Sequence, residues 1–336
     1  MGLRGERIAT TRRTFGEVAD EWIAAQGHLR PRTLDAYRWA IEKHLRPALG
    51  TLRIAEIDEQ AIIEDVIAPM QARKLKAWTI RGALTPLGRI LTFAVRRGEI
   101  PSNPLSRLDR GERPSVGRKE LAVLDSDEIS RVIAHAGEWR PLLATLVFTG
   151  LRIGEARGLQ WHDVNLDAGL ITVARQVGRD RQPAALKTSA ATRDVVIMDA
   201  LARVLRAHRL ASPYPAASDP VFASAIGTPI DDHNARSRGL RPALRAAGVE
   251  RNITLHDLRH TAASLMIANG ADVVFVSHQL GHASPAITLT TYARIFDQVA
   301  HAATMRDRMQ TRYGALLDTK PATPATITPS ASPNSA

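Results

Sequence analysis

One segment constrains the fold most strongly: residues 256–295, HDLRHTAASLMIANGADVVFVSHQLGHASPAITLTTYARI. Closely spaced signals for the starts and ends of helices lie within it and just before it. Just before it, Thr254 followed by Asp257 is a typical helix start, since each of the two side chains can cap a backbone amide of the first turn. Gly270 predicts the end of that helix. A second helix is predicted from Asp272 to a glycine stop at Gly281.

A third helix is predicted to begin at Ser284 and Pro285, residue types that favour the N-cap and the first helical position. It carries a tyrosine in its C-terminal half. Four reactive side chains therefore lie on or beside three short helices: His256, Arg259, His282 and Tyr292.

The chemistry of this set matches a phosphoryl group. His256 and Arg259 are three residues apart, so they share a helix face and can reach one ligand. A guanidinium grips phosphate oxygens in pairs, an imidazole transfers a proton, and a phenol can act as a nucleophile. These residue types favour phosphoryl transfer to a tyrosine. Tyr292 also fits the more common role of a packing residue on an amphipathic helix.

These residues resemble the C-terminal signature of the tyrosine recombinases, the phage integrase family. The signature consists of an HxxR motif at His256 and Arg259, an LGH motif ending at His282, and a tyrosine ten residues later. Upstream, TGLRIGEARGLQWHDV (149–164) resembles the family's first arginine box, with Arg152 and Glu155 at its centre. The boxes stand in the family's order, and the resemblance extends over residues 14–311.

The resemblance implies a role for each residue. The groups that hold the scissile phosphate are Arg152, Arg259 and His282, with Glu155 orienting the first of them. Tyr292 attacks phosphorus while His256 accepts its proton, and the resulting 3′-phosphotyrosyl link is reversible by a 5′ hydroxyl without metal, cofactor or ATP. Without the resemblance, the arginine and glutamate of the first box also fit a surface ion pair worth only ~0.3–0.5 kcal/mol.

A small β-structure is predicted between residues 170 and 198. LITVARQV (170–177) and ATRDVVIM (191–198) have the β-branched composition of strands and are predicted to form a hairpin or small sheet. Lys187, in the KTSAATR pattern before the second strand, resembles the family's strand-borne lysine, which protonates the leaving 5′ oxygen. A lysine can release a proton in a shifted environment, whereas an arginine effectively cannot. A solvated hairpin lysine is the ordinary alternative.

Helical periodicity predicts a small bundle before residue 108. The first expected helix starts at Thr14. The second runs from Pro31 to about His44 and ends near Arg46 and Pro47, and two more cover residues 54–67 and 77–97. HLRPALGTLRIAEI (44–57) and AVRRGEIPSNPL (94–105) resemble the family's core-binding domain. Helices are also predicted at residues 139–148, 199–210, 232–247 and 297–309, and one starts at Asp125 or Ser126.

The predicted fold class is therefore mainly α with a small β-sheet. A helical core-binding (SAM-like) domain precedes a mixed α/β catalytic domain. The expected boundaries are a basic leader at 1–13, the core-binding domain at 14–108, a Gly- and Pro-rich linker at 109–120, the catalytic domain at 121–316 and a disordered tail at 317–336. We expect the two domains to close around a duplex as a clamp.

The charge distribution indicates the partner. The formal net charge is +11, and residues 71–119 hold 12 Lys or Arg against 3 Asp or Glu. Most of the excess thus lies in one short region, as expected of a protein that follows a phosphate backbone. Double-stranded DNA is the expected partner, although charge alone also fits a solvated basic face. The resemblance implies four protomers assembled on two DNA sites.

Several other classes are excluded or disfavoured. The chain has no cysteine, so disulfides and thiolate metal sites are excluded. No apolar run reaches the ~18 residues of a membrane span, and the N-terminus lacks the apolar core of a secretory signal, so we expect a cytoplasmic protein.

Zinc binding is a further alternative for the histidines. Two pairs have the i, i+4 spacing of zinc ligands: His256 with His260, and His278 with His282. Both pairs lack the HExxH glutamate, and Arg259 would place a cation beside the metal. We therefore expect no metal site, and a core or surface role for His260 and His278.

The expected function is a site-specific DNA recombinase, an integrase of a phage or other mobile element. One rival is an enzyme like the type IB topoisomerases, which would act without a partner site. The other is a DNA-binding protein that kept the fold and lost the reaction.

Overall fold

The structure is a computed structural model that describes residues 11–117, 121–178, 182–185, 192–293 and 305–312. The chain divides into two compact units, with the boundary after residue 119. The predicted tail and most of the predicted leader lie outside the described residues. Within the described ranges, no helix is both long enough and apolar enough to cross a membrane.

The described part of the first unit is a bundle of helical rods around one core. The rods are α1 (Phe15–Ala24); α2 (Pro31–Ala40), continuing through a π-type turn (Ile41–Leu45) into α3 (Arg46–Leu49); α4 (Glu59–Ala61), continuing through a second π-type turn (Ile62–Ile67) into α5 (Ala68–Ala72); and α6 (Ala77–Arg96), followed by the short α7 (Pro104–Arg107). Phe15, Leu45, Val66 and Leu87, one from each rod, are fully buried together. The expected bundle is confirmed.

Two expected boundaries in this bundle are wrong. The second rod does not end near Arg46 and Pro47, because α3 continues to Leu49. Residues 54–67 are not one helix either: a 3₁₀ turn over Ile54–Glu56 stops, and the Asp58 side chain then caps α4 by accepting a hydrogen bond from the amide of Ala61 at 2.8 Å. This cap restarts the helix inside the expected element.

The described π-type turns lie beside prolines, although α6 contains Pro86 without such a turn. Each of the three described π-type turns ends two residues before a proline: Pro47, Pro69 and Pro242. A proline inside an α-helix lacks a donor and clashes with the carbonyl four residues earlier. In the wider π-type turn the hydrogen bonds reach back five residues instead of four, as when the amide of Arg46 donates to the carbonyl of Ile41. The backbone therefore differs from an α-helix at the place where that clash would occur. The helix thus passes the proline without ending.

The second unit is helical around a small sheet. Its described helices are α8 (Ser126–Ala134), α9 (Arg140–Thr149), α10 (Ile153–Gly158), α11 (Asp199–Ala211), α12 (Asp232–Asn234), which continues through a π-type turn (Ala235–Leu240) into α13 (Arg241–Ala246), α14 (Leu255–Ala268), α15 (Val273–Leu280) and α16 (Pro285–Tyr292). Residues 305–312 are also helical. The main core includes Leu143, Trp161, Ile171 and Leu258.

The strands are β1 (Val164–Asn165), β2 (Leu170–Val173), β3 (Arg175–Val177), β4 (Pro183–Ala185) and β5 (Arg193–Val196). One antiparallel sheet has the order β1-β2-β5, with Val173 opposite Arg193, and β3 pairs with β4 in a separate antiparallel ribbon. The sequence predicted residues 170–177 as one strand, which is wrong, and it did not predict β4. After β2 the chain leaves the first sheet and passes close to α10. A Cβ added to Gly158 of α10 would lie only 2.9 Å from the carbonyl oxygen of Arg175.

The predicted boundaries of the last three helices are confirmed. Thr254 and Asp257 form the reciprocal cap of α14, and Asp272 caps α15 through the amides of its first turn. Gly281 ends α15 in a left-handed conformation with φ of 63°. Pro285 is the first residue of α16, and Tyr292 is its last. The helix predicted at 297–309 is partly outside the described residues.

Candidate active site

Arg152 lies at the start of α10, directly after a left-handed glycine has ended α9. Gly150 has φ of 70°, and a Cβ there would lie 2.6 Å from Leu280, so the turn can approach α15 closely only with glycine. The Arg152 guanidinium donates to Glu155 at 2.7 Å and to the carbonyl of Gly281 at 3.4 Å. The side chain remains 39% exposed, so it can also reach a ligand.

Arg259 is the buried counterpart on α14. It donates to the carbonyls of Gly150 at 2.7 Å and Leu280 at 2.6 Å. These contacts place its guanidinium beside that of Arg152, which binds the next carbonyl along the chain. Burial, reinforced by the charge of Arg152 and opposed by Glu155, lowers the pKa of Arg259 to about 9, so the group stays cationic at neutral pH. A guanidinium has five N–H donors, and the two carbonyl bonds of Arg259 use two of them.

Glu155 neutralises part of this positive charge. It lies between Arg152 and Arg193, and the latter donates to it at 3.0 Å. Burial alone would raise the pKa of Glu155, but the two guanidinium groups outweigh it and hold this pKa below its ordinary value. The expected surface ion pair is therefore a buried carboxylate between two arginines.

Arg193 is a site residue that the sequence analysis missed. It begins β5, its side chain is completely buried, and its Nε donates to the carbonyl of Gln279 at 2.8 Å. Gly281 lies directly against it, since a Cβ there would come within 2.7 Å of Arg193 Nη1. The signal was present in the alternation of RDVV, which points Arg193 inward together with Val195. Arg193 thus links the sheet to the end of α15.

His282 follows the glycine that ends α15. Its Nδ1 lies 2.7 Å from the hydroxyl of the buried Thr288 on α16. Burial, followed by the charges of Arg259 and Arg152, lowers the pKa of His282 to about 4, so the ring is neutral at pH 7. With Thr288 as the donor, the ring proton of a neutral His282 is on Nε2. In that tautomer the ring can donate to a phosphate oxygen.

Tyr292 is buried at the end of α16, with 1% of its surface exposed. Its hydroxyl lies 2.8 Å from Nδ1 of His260, and the His256 and His260 rings meet edge to face with centroids 4.9 Å apart. Burial raises the pKa of Tyr292 to about 12, although the charges of Arg259 and Arg152 act in the opposite direction. His260, which the sequence assigned to a core or surface role, is therefore the histidine hydrogen-bonded to the phenol.

The structure thus brings Arg152, Glu155, Arg259, His282 and Tyr292 into one region, with His256 exposed beside it. Lys187 lies outside the described residues. The end of β3, which precedes it in the chain, is fixed by Arg157, a buried residue that the sequence analysis also missed. Arg157 donates to the carbonyls of Ile230, Val177 and Gly178 at 2.6, 3.2 and 3.0 Å.

The histidine pairs do not meet in a ligand cluster. In the part of the chain that is described, no group of three or more histidines, aspartates and glutamates is arranged to hold a metal ion. His260 is directed to Tyr292, and His282 to Thr288. The cationic side chains that the described residues bring to the site are the guanidinium groups of Arg152, Arg193 and Arg259.

Family models match both units. The model described as phage integrase family matches residues 122–298, more than half of the chain, and the phage integrase central domain model matches residues 15–111. The chain therefore belongs to the phage integrase family. It is a tyrosine recombinase, an enzyme that breaks and rejoins DNA strands.

Curated relatives and solved structures agree with this assignment. Tyrosine recombinase XerC of Xylella fastidiosa (strain 9a5c) is 28% identical over 286 residues, covering 80% of this chain and 89% of the relative. An integrase of Streptomyces ambofaciens is 26% identical, covering 86% and 78%. The Tn1549 transposon integrase in complex with transposon right end DNA has a TM-score of 0.75 at 18% identity, covering 88% of this chain and 99% of that one. A lambda integrase dimer bound to a COC′ core site has a TM-score of 0.65 at 19% identity, covering 85% and 96%. The predicted fold class is confirmed.

Proposed function

We propose that this chain is a site-specific DNA integrase in which Tyr292 becomes linked to a 3′ phosphate. The observation that carries the proposal is that two guanidinium groups bind neighbouring backbone carbonyls at the end of α15. Arg259 donates to the carbonyl of Leu280 and Arg152 to that of Gly281, and both charges act on the pKa of Tyr292. A phosphodiester is the substrate that brings matching negative charge to a tyrosine in this position.

In the proposed reaction, Arg152 and Arg259 hold the two non-bridging oxygens of the scissile phosphate, and His282 donates a further hydrogen bond. The phenol oxygen of Tyr292 forms a bond to phosphorus as the bond to the 5′ oxygen breaks. The arginines stabilise the charge that develops in the transition state, a role that metal ions have in other phosphoryl transfers.

The proton balance involves two further groups. The phenol loses its proton to a histidine, and the departing 5′ oxygen gains one, for which we propose Lys187. The products are a 3′-phosphotyrosyl ester and a free 5′ hydroxyl. Because the ester conserves the energy of the phosphodiester bond, attack by another 5′ hydroxyl rejoins the strand without ATP.

Double-stranded DNA is the proposed partner. The basic residues 71–119 supply the charge for a backbone contact, and the Tn1549 and lambda integrases named above were solved on DNA. Exchange between two duplexes requires four cleavages, so we propose that four protomers assemble on two sites. We also propose the cytoplasm as the location, and a phage or other mobile element as the origin.

The domain roles follow the same proposal. Residues 14–108 are assigned to the core-binding domain, 109–120 to the linker and 121–316 to the catalytic domain, with a leader at 1–13 and a tail at 317–336. We propose that the core-binding domain and the catalytic domain each contact the DNA duplex. Footprinting of the bound duplex by the full-length protein, with a DNA-cleaving tag on one domain at a time, tests whether both domains contact the DNA.

A two-site assay separates the proposal from its rivals. Duplexes selected from a random-sequence pool by binding to the Tyr292→Phe variant supply the site, and two copies are placed on one supercoiled plasmid. We expect recombinant circles that require both copies. Relaxation of a plasmid without sites would instead support the topoisomerase alternative, and tight binding without any strand exchange or cleavage would support a silent DNA-binding protein.

A further inference from the structure

We propose that His260 is a catalytic residue that accepts the phenolic proton of Tyr292 during strand cleavage. This inference rests on the proposed role of Tyr292 as the nucleophile. The HxxR motif draws attention to His256 as the proton acceptor, yet the histidine one residue after Arg259 is the one in hydrogen-bond contact with the reacting oxygen.

The helix geometry explains why His260 is in this position. Residues 256, 260, 263 and 267 follow one another at intervals of four, three and four, so they form one stripe along α14. Tyr292 packs against the C-terminal part of this stripe, in a buried cluster with Ala263 and Ile267. With its ring held there, the hydroxyl reaches the next position along the stripe, His260.

The contact has the geometry of a proton transfer. The hydroxyl oxygen and Nδ1 are 2.8 Å apart, and the two rings meet edge to face with centroids 5.7 Å apart. With the phenol as donor, Nδ1 is the acceptor, and transfer along this bond leaves a phenolate and an imidazolium. The phenolate then attacks phosphorus, so the proton does not have to cross the site. General bases act at separations of this size, about 2.6–3.2 Å.

The environment makes such an acceptor necessary. Tyr292 is 1% exposed, so bulk water has little access to its hydroxyl. Burial disfavours the phenolate, and the charges of Arg259 and Arg152 offset this only in part. His256, in contrast, is exposed at the N-terminal end of the stripe, and its ring meets the His260 ring edge to face with centroids 4.9 Å apart. That position suits a group that meets the incoming phosphate.

The test uses fluorinated tyrosine at position 292. Fluorine makes the phenol more acidic, so a fluorinated nucleophile depends less on a proton acceptor while keeping almost the same shape. His260→Asn retains a hydrogen-bonding group near the Nδ1 position but no basic nitrogen. His256→Asn is the matched comparison on the same stripe, and His278→Asn, an exposed change on α15, is the control. Each is combined with tyrosine or trifluorotyrosine at position 292, and single-turnover adduct formation on a suicide half-site is measured.

We expect His260→Asn with ordinary tyrosine to slow adduct formation roughly 10²–10⁴-fold, the usual contribution of a general base, with DNA binding unchanged. Trifluorotyrosine should restore most of this loss in His260→Asn and little of the loss in His256→Asn. The His278→Asn rate should match the wild type.

Three results would overturn the inference. Restoration in His256→Asn only would make His256 the acceptor. An unrestored loss in His260→Asn would mean that the contact is structural. Faster cleavage by His260→Asn would mean that the contact restrains the nucleophile. A wild-type enzyme that forms no adduct would contradict the proposed function itself, which keeps the two failures distinct.

Discussion

Replacing Glu155 with glutamine removes the single carboxylate between two guanidinium groups, and we expect this to destabilise the second unit strongly. The Glu155 and Arg193 side chains are 2% and 0% exposed, so the arginine would remain buried with its charge no longer balanced. Breaking a buried pair in this way costs about 3–5 kcal/mol. The amide of the new glutamine also offers a donor where the guanidinium needs an acceptor.

An exposed ion pair provides the matched control. Arg206 and Asp167 are joined at 2.8 Å but are 48% and 94% exposed, so Asp167→Asn should cost only about 0–1 kcal/mol. Both variants keep the size of the side chain and remove one negative charge. Amide hydrogen exchange in increasing urea, read on peptides of the second unit, gives the free energy of unfolding for this unit separately from the first.

The pH dependence gives an independent check. The pKa of Glu155 is lowered in the folded chain because Arg193 and Arg152 outweigh the cost of burial. Its charge therefore stabilises the fold above the ordinary glutamate pKa of about 4.3, and this contribution is lost as the pH falls through the lower folded-state pKa. The buried-pair reasoning is refuted if, at pH 7.5, the free energy of unfolding of Glu155→Gln lies within about 1 kcal/mol of that of Asp167→Asn.

Three further perturbations address the same region. Gly281→Ala puts a Cβ 2.7 Å from Arg193 Nη1 at a residue with φ of 63°, so urea unfolding should report a loss of about 1–2 kcal/mol. Arg259→Lys removes the fork that spans two carbonyls, and single-turnover cleavage should fall roughly 10²–10³-fold with DNA binding retained. Because burial lowers the pKa of His282 from 6.5 to about 4, the unfolded chain binds more protons between these values; stability should decline as pH falls from 7 to 5, less steeply in His282→Gln.

The sequence predicted the helix ends around the site because the signals are local. Thr254 with Asp257 forms a reciprocal cap, and Gly281 adopts the left-handed conformation that only glycine adopts readily. Each depends on residues within one turn of backbone. The same locality explains why the rods of the first unit were found by periodicity.

What the sequence did not predict depends on tertiary contacts. Arg193 approaches Glu155 across 38 positions of sequence, so no local pattern connects them. The break at Ala174 lies where the chain passes close to Gly158 of α10, and the π-type turns lie beside prolines that a local pattern takes as helix ends. His260 was assigned to a core or surface role because spacing on α14 alone does not reveal which histidine Tyr292 reaches from another helix.

The central claim is that Tyr292 is the nucleophile of a DNA strand transferase. The most direct measurement incubates the protein with a half-site duplex, nicked so that the released strand diffuses away, and isolates covalent protein–DNA adducts for peptide mapping. We predict an adduct on the peptide that contains Tyr292, attached through a 3′ phosphate and absent from Tyr292→Phe. An adduct that persists in Tyr292→Phe, or no adduct on DNA that the wild type binds, would contradict the account.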